Sequence, residues 1–227
     1  MGNIQLVVFD IAGTTVSDKG DIAVAFIDAF KKHGYAIAVE EVNKVMGFRK
    51  KDAIKTLLDK FYPDQENSDE FIEKIHDAFL KNMISFYEND HDLKALPYAE
   101  ETFHTLKQQA IKVALNTGFT KAITDTIVSR LNWHITGMID HIISSDEVPQ
   151  GRPHPFMIRS IMNILKIGDV KRVAKVGDTQ VDVQEGRNTG CGLVVSVTTG
   201  TYTREQLEKY DPDHIIDSLK ELPALIQ

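Results

Sequence analysis

Two aspartates follow apolar segments of the chain, at positions where they could share one site. Asp10 comes directly after the run Ile4–Phe9 and begins an Asp-x-x-Gly-Thr-Thr turn, and Asp178 follows the run Val173–Val176. A β-branched apolar run that ends in an acid and a turn is typical of a buried strand that presents a carboxylate to a ligand. Asp182 lies four residues beyond Asp178, near the expected start of a helix, so the two could lie on one helix face.

Polar and cationic residues follow two further apolar runs. Thr117 and Gly118 come after Lys112–Leu115, and Arg152 lies downstream of Ile139–Ile143. In an open α/β sheet, ligands bind beyond the carboxyl ends of the strands, so we expect these residues to meet the aspartates there. Carboxylates, a hydroxyl and a cation in one cleft suit a small anionic substrate and a hard cation such as Mg²⁺, which prefers oxygen ligands.

The apolar runs alternate with helical patterns along most of the chain. A fifth run, Leu193–Val197, and the segment 213–216 complete the candidate strands, and Ile123, Ile127 and Leu131 recur at helical spacing between two of them. Strands that alternate with helices predict a parallel sheet covered on both faces. The expected fold class is therefore α/β, with a Rossmann-like, doubly wound parallel sheet.

One long interval breaks this alternation. Residues 17–90 contain no convincing strand, only amphipathic helical patterns such as Ile22, Phe26 and Phe30. The interval is too long for a crossover loop. We therefore expect a helical cap domain over residues 17–90, inserted after the first strand into a core made of residues 1–16 and 91–227.

The composition favours a soluble globular protein and argues against several function classes. The chain has 227 residues, 42% of them hydrophobic, and a formal net charge of −7, which disfavours a broad surface for nucleic acid or anionic membranes. Cys191 is the sole cysteine, so an internal disulfide and a multi-cysteine metal site are excluded. With no apolar stretch of membrane-spanning length and no signal-peptide pattern, we expect a cytoplasmic protein that binds neither nucleic acid nor membrane.

The polar residues at the strand ends occur in a familiar order. The Asp10 turn, Thr117, the Arg152-Pro turn and Gly177-Asp178-x-x-x-Asp182 resemble the four motifs of the haloacid dehalogenase superfamily. The helical insert is similar to the mobile cap of that superfamily. The resemblance implies that Asp10 attacks phosphorus and forms an aspartyl-phosphate.

The same resemblance implies roles for the other site residues. Asp10, the backbone carbonyl of Ala12 and Asp178 would bind Mg²⁺, and Asp182 would support that site from behind. Three further groups, Thr117, the amide of Gly118 and Arg152, would bind the phosphoryl group and stabilise its charge.

Two residues depart from the common pattern of the superfamily and indicate which of its branches this chain resembles. Most of its phosphatases place a proton-donating aspartate two residues after the nucleophile, where this chain has Ala12, and Arg152 stands where lysine is usual. Both departures resemble the branch that contains phosphonoacetaldehyde hydrolase (phosphonatase). In that branch a cap lysine forms a Schiff base with the substrate aldehyde, so that the leaving group is an enamine, which needs no adjacent acid.

A segment of the insert resembles the motif that carries this lysine, Met-Gly-x-x-Lys-x-Asp. Met46 and Gly47 begin it here, and Lys50 falls on the Schiff-base position. The branch also carries a histidine three residues after its lysine, where this chain has Ala53. A nucleophilic lysine needs a depressed pKa, which burial or neighbouring cations could supply.

These patterns leave three hypotheses for the function. The first is an Mg²⁺-dependent hydrolase that cleaves the carbon–phosphorus bond of a 2-oxoalkyl phosphonate such as phosphonoacetaldehyde. The second is a phosphomonoesterase for small organic or sugar phosphates, similar to phosphoglycolate phosphatase, and the third is a catalytically weak binding protein on the same fold. Because Lys50 lies in a run of cations, it could also belong to a solvated helix face. The resemblance further implies a homodimer formed through the cap.

Overall fold

The core of the protein is a parallel β-sheet. The computed structural model describes residues 4–63 and 68–226, and its six strands have the order β3-β2-β1-β4-β5-β6. All five strand pairs are parallel. The strands are β1 Leu6–Phe9, β2 Lys112–Thr117, β3 His141–Ser144, β4 Val173–Gly177, β5 Leu193–Val197 and β6 His214–Ile216. The α/β class and the parallel sheet predicted from the sequence are confirmed.

Ten α-helices accompany the strands in the described part of the chain. They are α1 Asp21–Lys32, α2 Val39–Asn43, α3 Lys50–Phe61, α4 Asp69–Asn89, α5 Ala99–Gln108, α6 Lys121–Arg130, α7 Phe156–Leu165, α8 Gln180–Thr189, α9 Arg204–Glu208 and α10 Leu222–Leu225. None of the described helices is both long and apolar enough to span a bilayer.

The centre of the sheet determines where a ligand can bind. Strand β1 lies between β2 and β4, and its four residues are fully buried. Phe9 is paired with Val176, and the Asp10 N–H donates to the Val176 carbonyl oxygen at 2.9 Å. The strand order reverses beside β1, so the crevice beyond the ends of β1 and β4 is the expected ligand position. Asp10 and Asp178 both emerge into it.

Strand β3 begins two residues later than the apolar run Ile139–Ile143 suggests. The Asp140 N–H donates to the Val113 carbonyl oxygen at 2.7 Å, and its carboxylate accepts the Val113 N–H at 2.8 Å. Lys107 and Lys112 also contact this carboxylate. Asp140 therefore closes the start of the strand with its side chain, and the ladder begins at His141.

The interval between β1 and α5 is helical, as the sequence indicates. Helices α1 and α4 pack their apolar faces together, with the Phe26 and Phe79 ring centroids 4.6 Å apart. The Ser68 hydroxyl accepts the Phe71 N–H and begins α4, as expected for a serine N-cap. The division into a cap of residues 17–90 and a core of residues 1–16 and 91–227 stays a prediction.

A buried aromatic contact between α5 and the sheet provides a test of the core. Phe103 is fully buried, with its ring centroid 5.2 Å from Phe9 and 5.6 Å from Trp133. Because Phe103→Ala leaves a cavity, we expect it to lower the free energy of unfolding by about 3–5 kcal/mol. Urea unfolding followed by circular dichroism measures the loss. The matched control Ile164→Ala, at a side chain 53% exposed on α7, should change stability by less than about 0.5 kcal/mol. Equal losses in the two variants would contradict this packing.

Candidate active site

Asp10 is held at the end of β1 by its neighbours on both sides. Its side chain is buried, and its Oδ1 accepts a hydrogen bond from Arg152 Nη2 at 2.5 Å. The Thr15 hydroxyl donates to the Asp10 carbonyl oxygen at 2.9 Å and tightens the turn. Burial raises the pKa of Asp10, and the Arg152 charge opposes this rise.

Asp178 lies beyond the end of β4 and beside Asp10. The Thr14 hydroxyl donates to Oδ1 at 3.2 Å, and the Thr201 N–H donates to Oδ2 at 2.7 Å. The pKa of Asp178 is raised well above its usual value, first by burial and then by the charges of Asp10 and Asp182. Two hydrogen bonds thus fix a carboxylate that is costly to ionise without a cation.

The Asp182 carboxylate also lies in this crevice, but its orientation differs from the predicted one. Helix α8 begins at Gln180, so Asp178 precedes the helix and the expectation of a shared helix face is wrong. The Asp182 side chain instead folds back, and its Oδ2 accepts the Thr179 hydroxyl at 2.6 Å and the Thr179 N–H at 3.2 Å. This capping box satisfies the free donors of the first helical turn and turns the carboxylate toward the crevice.

The three aspartates form a group that could hold a metal ion. Ligand oxygens of Asp10, Asp178 and Asp182 all lie within 4.8 Å of one another and are buried. A donor set made only of oxygens suits a hard cation such as Mg²⁺ rather than a soft one. Ala12 lines a small cavity together with Asp10 and Asp178. A bound cation would compensate the mutual repulsion of these carboxylates, so the residues fit the metal that the sequence suggests.

Arg152 joins two of these carboxylates. Its Nη1 donates to Asp182 Oδ1 and its Nη2 to Asp10 Oδ1, each at 2.5 Å, and the side chain is fully buried. Burial alone would lower the pKa of Arg152, but the charges of Asp10, Asp182 and Glu185 outweigh it and raise the pKa. Arg152 Nε is buried without a hydrogen-bond partner among the described residues. The guanidinium therefore remains a permanent positive charge at the site.

Sequence reasoning missed a second buried cation, Lys175. Its Nζ donates to Asn116 Oδ1 at 2.6 Å and lies 3.0 Å from Asp182 Oδ1 and 3.5 Å from Glu185 Oε2. The Asn116 amide in turn donates to the Glu185 carboxylate at 2.8 and 2.9 Å. The signal was available, because a lysine inside the apolar run Val173–Val176 has to find buried partners. Lys175 lies behind the site and helps to keep Asp182 ionised. Burial by itself would raise the pKa of Asp182, but the charges of Arg152 and Lys175 lower it.

Lys50 is the first residue of α3, and its side chain does not reach solvent. The residue is 3% exposed, and its Nζ lies 5.6 Å from the Phe26 ring centroid, 6.0 Å from Phe79 and 5.1 Å from Phe119. Burial and the Arg152 charge lower the pKa of Lys50 to about 8, against the opposing charges of Asp10, Asp18 and Asp178. Aromatic faces attract an ammonium but replace little of its hydration.

The other cations of the run behave as a surface. Three of them form exposed or half-exposed ion pairs: Lys44 with Glu41, Lys51 with Glu73, and Lys55 with Asp59. The interpretation of the run as a solvated face therefore holds for these three lysines and is wrong for Lys50.

One cavity brings most of the predicted site residues together across the boundary between insert and sheet, although Arg152 and Asp182 are not among its lining residues. It is lined by Asp10, Ala12, Met46, Gly47, Lys50, Thr117, Gly118 and Asp178, among others. The backbone carbonyl oxygens of Gly47 and Phe48 lie so close to Gly118 that a Cβ there would be 2.5 and 2.4 Å from them. Gly47 has a φ of 80°, and a Cβ at Gly47 would lie 2.6 Å from the Thr179 hydroxyl oxygen. Glycine at these two positions lets the insert press directly on the strand ends.

A larger cavity, of about 570 Å³, lies between α2 and the start of α8 and shares only Thr201 with the first. Its lining has a single acid, Glu40, and neither the grouped carboxylates nor the buried lysine. We therefore place the chemistry in the smaller cavity, where charged groups converge.

The carboxylate group gives a prediction for metal binding. Adding Mg²⁺ to metal-free protein should raise the melting temperature, since a ligand at about 100 times its Kd stabilises the folded state by about 2.7 kcal/mol. Asp178→Asn should abolish most of this rise, because it removes one ligand charge. The control Asp125→Asn, at an exposed carboxylate paired with Lys121, should keep it. An Mg²⁺ effect of native size in Asp178→Asn would show that the ion binds elsewhere.

Comparison with known proteins agrees with this geometry. The family described as haloacid dehalogenase-like hydrolase matches residues 7–196. Phosphonoacetaldehyde hydrolase from Pseudomonas fluorescens is 30% identical over 98% of this chain and 91% of its own length, and the enzyme of the same name from Bacillus mycoides is 31% identical over 92% and 83%.

Solved structures show the same fold. A phosphonoacetaldehyde hydrolase-like protein from Oleispira antarctica superposes with a TM-score of 0.86 at 22% identity, over 99% of this chain and 92% of the other. A predicted phosphoglycolate phosphatase from Haemophilus somnus gives a TM-score of 0.79 at 20% identity over the whole of both chains. This chain is therefore a hydrolase that belongs to the haloacid dehalogenase superfamily, in its phosphonatase-like branch.

Proposed function

We propose that this protein is an Mg²⁺-dependent phosphonatase that hydrolyses the carbon–phosphorus bond of a 2-oxoalkyl phosphonate such as phosphonoacetaldehyde. The observation that carries the proposal is the burial of Lys50 in the cavity that also holds Asp10. The relatives named phosphonoacetaldehyde hydrolase support the choice of substrate.

The first step belongs to Lys50. With its pKa lowered to about 8, about one amine in ten is neutral at pH 7, against about one in 3,000 for a lysine with an ordinary pKa. The neutral amine attacks the aldehyde carbon, and loss of water gives an iminium. The iminium carries a positive charge two bonds from the carbon that is attached to phosphorus.

The second step belongs to Asp10. Its carboxylate attacks phosphorus, the carbon–phosphorus bond breaks, and the electron pair of that bond moves toward the iminium nitrogen to give an enamine. Water then hydrolyses the aspartyl-phosphate, and protonation and hydrolysis of the enamine return Lys50 and release an aldehyde. Because the enamine leaves without first taking a proton, an acid at position 12 is not needed, which agrees with Ala12.

The remaining site residues bind the phosphonate. Arg152, the Thr117 hydroxyl and the Gly118 N–H would hold its oxygens, since Arg152 contacts Asp10 and the other two residues line the cavity with Asp10 at the end of β2. Mg²⁺ held by Asp10, Asp178 and the Ala12 carbonyl, with Asp182 behind them, would neutralise phosphonate charge. Arg152 would support the phosphonate site and the metal site together, because it pairs with Asp10 and with Asp182.

The substrate needs more room than the cavity offers. The cavity has a volume of about 20 Å³, which is roughly the space of one water molecule. We propose that the insert moves away from the strand ends to admit the substrate, breaking contacts such as that of Arg49 Nη1 with the Pro149 carbonyl oxygen at 3.1 Å. Closure would then exclude water from the iminium. The homodimer through the cap remains a proposal from the resemblance, and the cytoplasmic location remains a proposal from the sequence pattern.

The phosphomonoesterase hypothesis is the less favoured one. The phosphoglycolate phosphatase structure shares only the fold, and fold alone does not give activity. Ala12 cannot protonate a leaving alkoxide, whereas general acid catalysis of that step contributes about 10²–10⁴-fold. Phosphate release from matched phosphonates and phosphate esters, with and without Mg²⁺, separates the two, and faster turnover of the esters would favour the phosphomonoesterase.

Replacement of the lysine tests the proposal directly. Lys50→Ala should lower phosphate release from phosphonoacetaldehyde by a factor on the order of 10³ or more, because the reaction loses its covalent catalyst. Sodium borohydride added during turnover should reduce the iminium and leave a mass increase on the peptide that contains Lys50. The matched control Lys51→Ala removes a neighbouring exposed ammonium and should keep activity and labelling. Full activity of Lys50→Ala would end the Schiff-base mechanism.

The lowered pKa of Lys50 also predicts a pH dependence. The reactive form is the neutral amine, so the ionisation of Lys50 should give kcat/KM a rising limb with its midpoint at about pH 8. The initial rate of borohydride labelling at Lys50, measured from pH 6 to 10, should follow the same limb. A labelling midpoint near the ordinary lysine pKa of 10.5 would show that Lys50 is solvated when it reacts.

A further inference from the structure

Asp18 is an acid of the cavity that has no role in the proposed steps. It lies in the link between β1 and α1 and lines the same cavity as Lys50 and Asp10. Its Oδ1 accepts the Gly20 N–H at 3.0 Å and the Asp21 N–H at 3.1 Å. Backbone donors therefore fix the position of this carboxyl group at the start of the insert.

The charges of the cavity couple Asp18 to Lys50. The negative charge of Asp18 is one of those that hold the pKa of Lys50 up against burial. Burial in turn raises the pKa of Asp18, and the nearby charge of Asp21 adds to the rise, against the backbone donors of Gly20, Asp21 and Ile22. The carboxyl pKa thus moves up toward neutrality while the amine pKa moves down toward it. Shifted pKa values of this kind are typical of groups at functional sites.

The other titratable groups near the cavity either act in other steps or are not among the residues that line it. Asp10 and Asp178 belong to the nucleophile and the metal group. Burial raises the pKa of Tyr87 on α4 well above its usual value, and the Asp18 charge contributes. His76 lines a neighbouring cavity, of about 240 Å³, beside Glu73, and Lys50 contributes to the lining of both cavities. Among the described residues that line the site, Asp18 is the one acid left without a task.

Schiff-base chemistry needs such a group. When the amine has added to the aldehyde, the carbinolamine hydroxyl leaves only as water, so it must take up a proton. When the iminium is later hydrolysed, the attacking water must lose one. The methyl groups of Ala12 and Ala53 can do neither.

We propose that Asp18 performs both transfers, a proposal that rests on the Schiff-base function of Lys50. The Asp18 carboxylic acid gives its proton to the carbinolamine oxygen, the carbon–oxygen bond breaks, and water and the iminium form. In the hydrolysis the Asp18 carboxylate takes a proton from the attacking water as the new carbon–oxygen bond forms. Over one turnover the carboxyl group returns to its starting state.

Asp18→Asn is the sharpest test, because an amide oxygen can still accept the Gly20 and Asp21 N–H groups but the side chain cannot transfer a proton. We expect the melting temperature to stay within a few degrees of the native one. Formation of the iminium, followed by quenching with borohydride at short times, should slow by about 10²–10⁴-fold. The control Asp21→Asn removes the neighbouring negative charge of the same segment and should leave this rate within about threefold.

The pH profile separates proton transfer from a structural effect. In the native protein the rate of iminium formation should depend on two ionisations, because it needs the neutral amine of Lys50 and the acid form of Asp18, whereas Asp18→Asn should keep only the dependence on Lys50. An iminium rate in Asp18→Asn within threefold of native, or an equal loss in Asp21→Asn, would overturn the role of Asp18 while leaving the function of Lys50 intact. Absence of any labelled Lys50 in the native protein would instead overturn both.

Discussion

The charges at the carboxyl edge of this sheet are almost completely removed from water, and a buried charge is stable only when another charge or a dipole compensates it. Arg152 pairs with Asp10 and Asp182, and Lys175 pairs with Asp182 and Glu185. This compensation fixes the ends of β1 and β4 relative to α8. The geometry of the site follows from it, because each carboxylate points where its cation is.

Lys50 is the exception in this arrangement. Three aromatic rings surround its ammonium, and no ion pair within the described ranges 4–63 and 68–226 involves it. The low pKa is the energetic consequence, since a poorly compensated charge in a dry cavity is lost more readily. The protein thus pairs most of its buried acids with buried cations and leaves one buried amine, that of Lys50, without an ion pair among the described residues.

The position of the insert places Lys50 in the same cavity as the acids at the sheet edge. Gly47 and Gly118 allow the backbone of the insert to approach the strand ends closely, and this approach brings Lys50 and Asp18 over Asp10. The same contact leaves almost no free volume. The charged groups of the insert and of the sheet therefore share one cavity because the insert lies against the strand ends.

The sequence by itself determined the α/β class, the parallel sheet and the family, because apolar runs, helical spacing and the order of motifs are local properties that tertiary packing preserved. It also indicated which residues follow the strands, although the helix face shared by Asp178 and Asp182 was wrong, since Asp182 folds back onto Thr179. Only the tertiary structure decided that Lys50 is buried while Lys51 beside it is at the surface, and that Lys175 lies among acids. Burial depends on residues far apart in the chain, such as Phe26, Phe79 and Phe119 around Lys50, and no local pattern encodes their meeting.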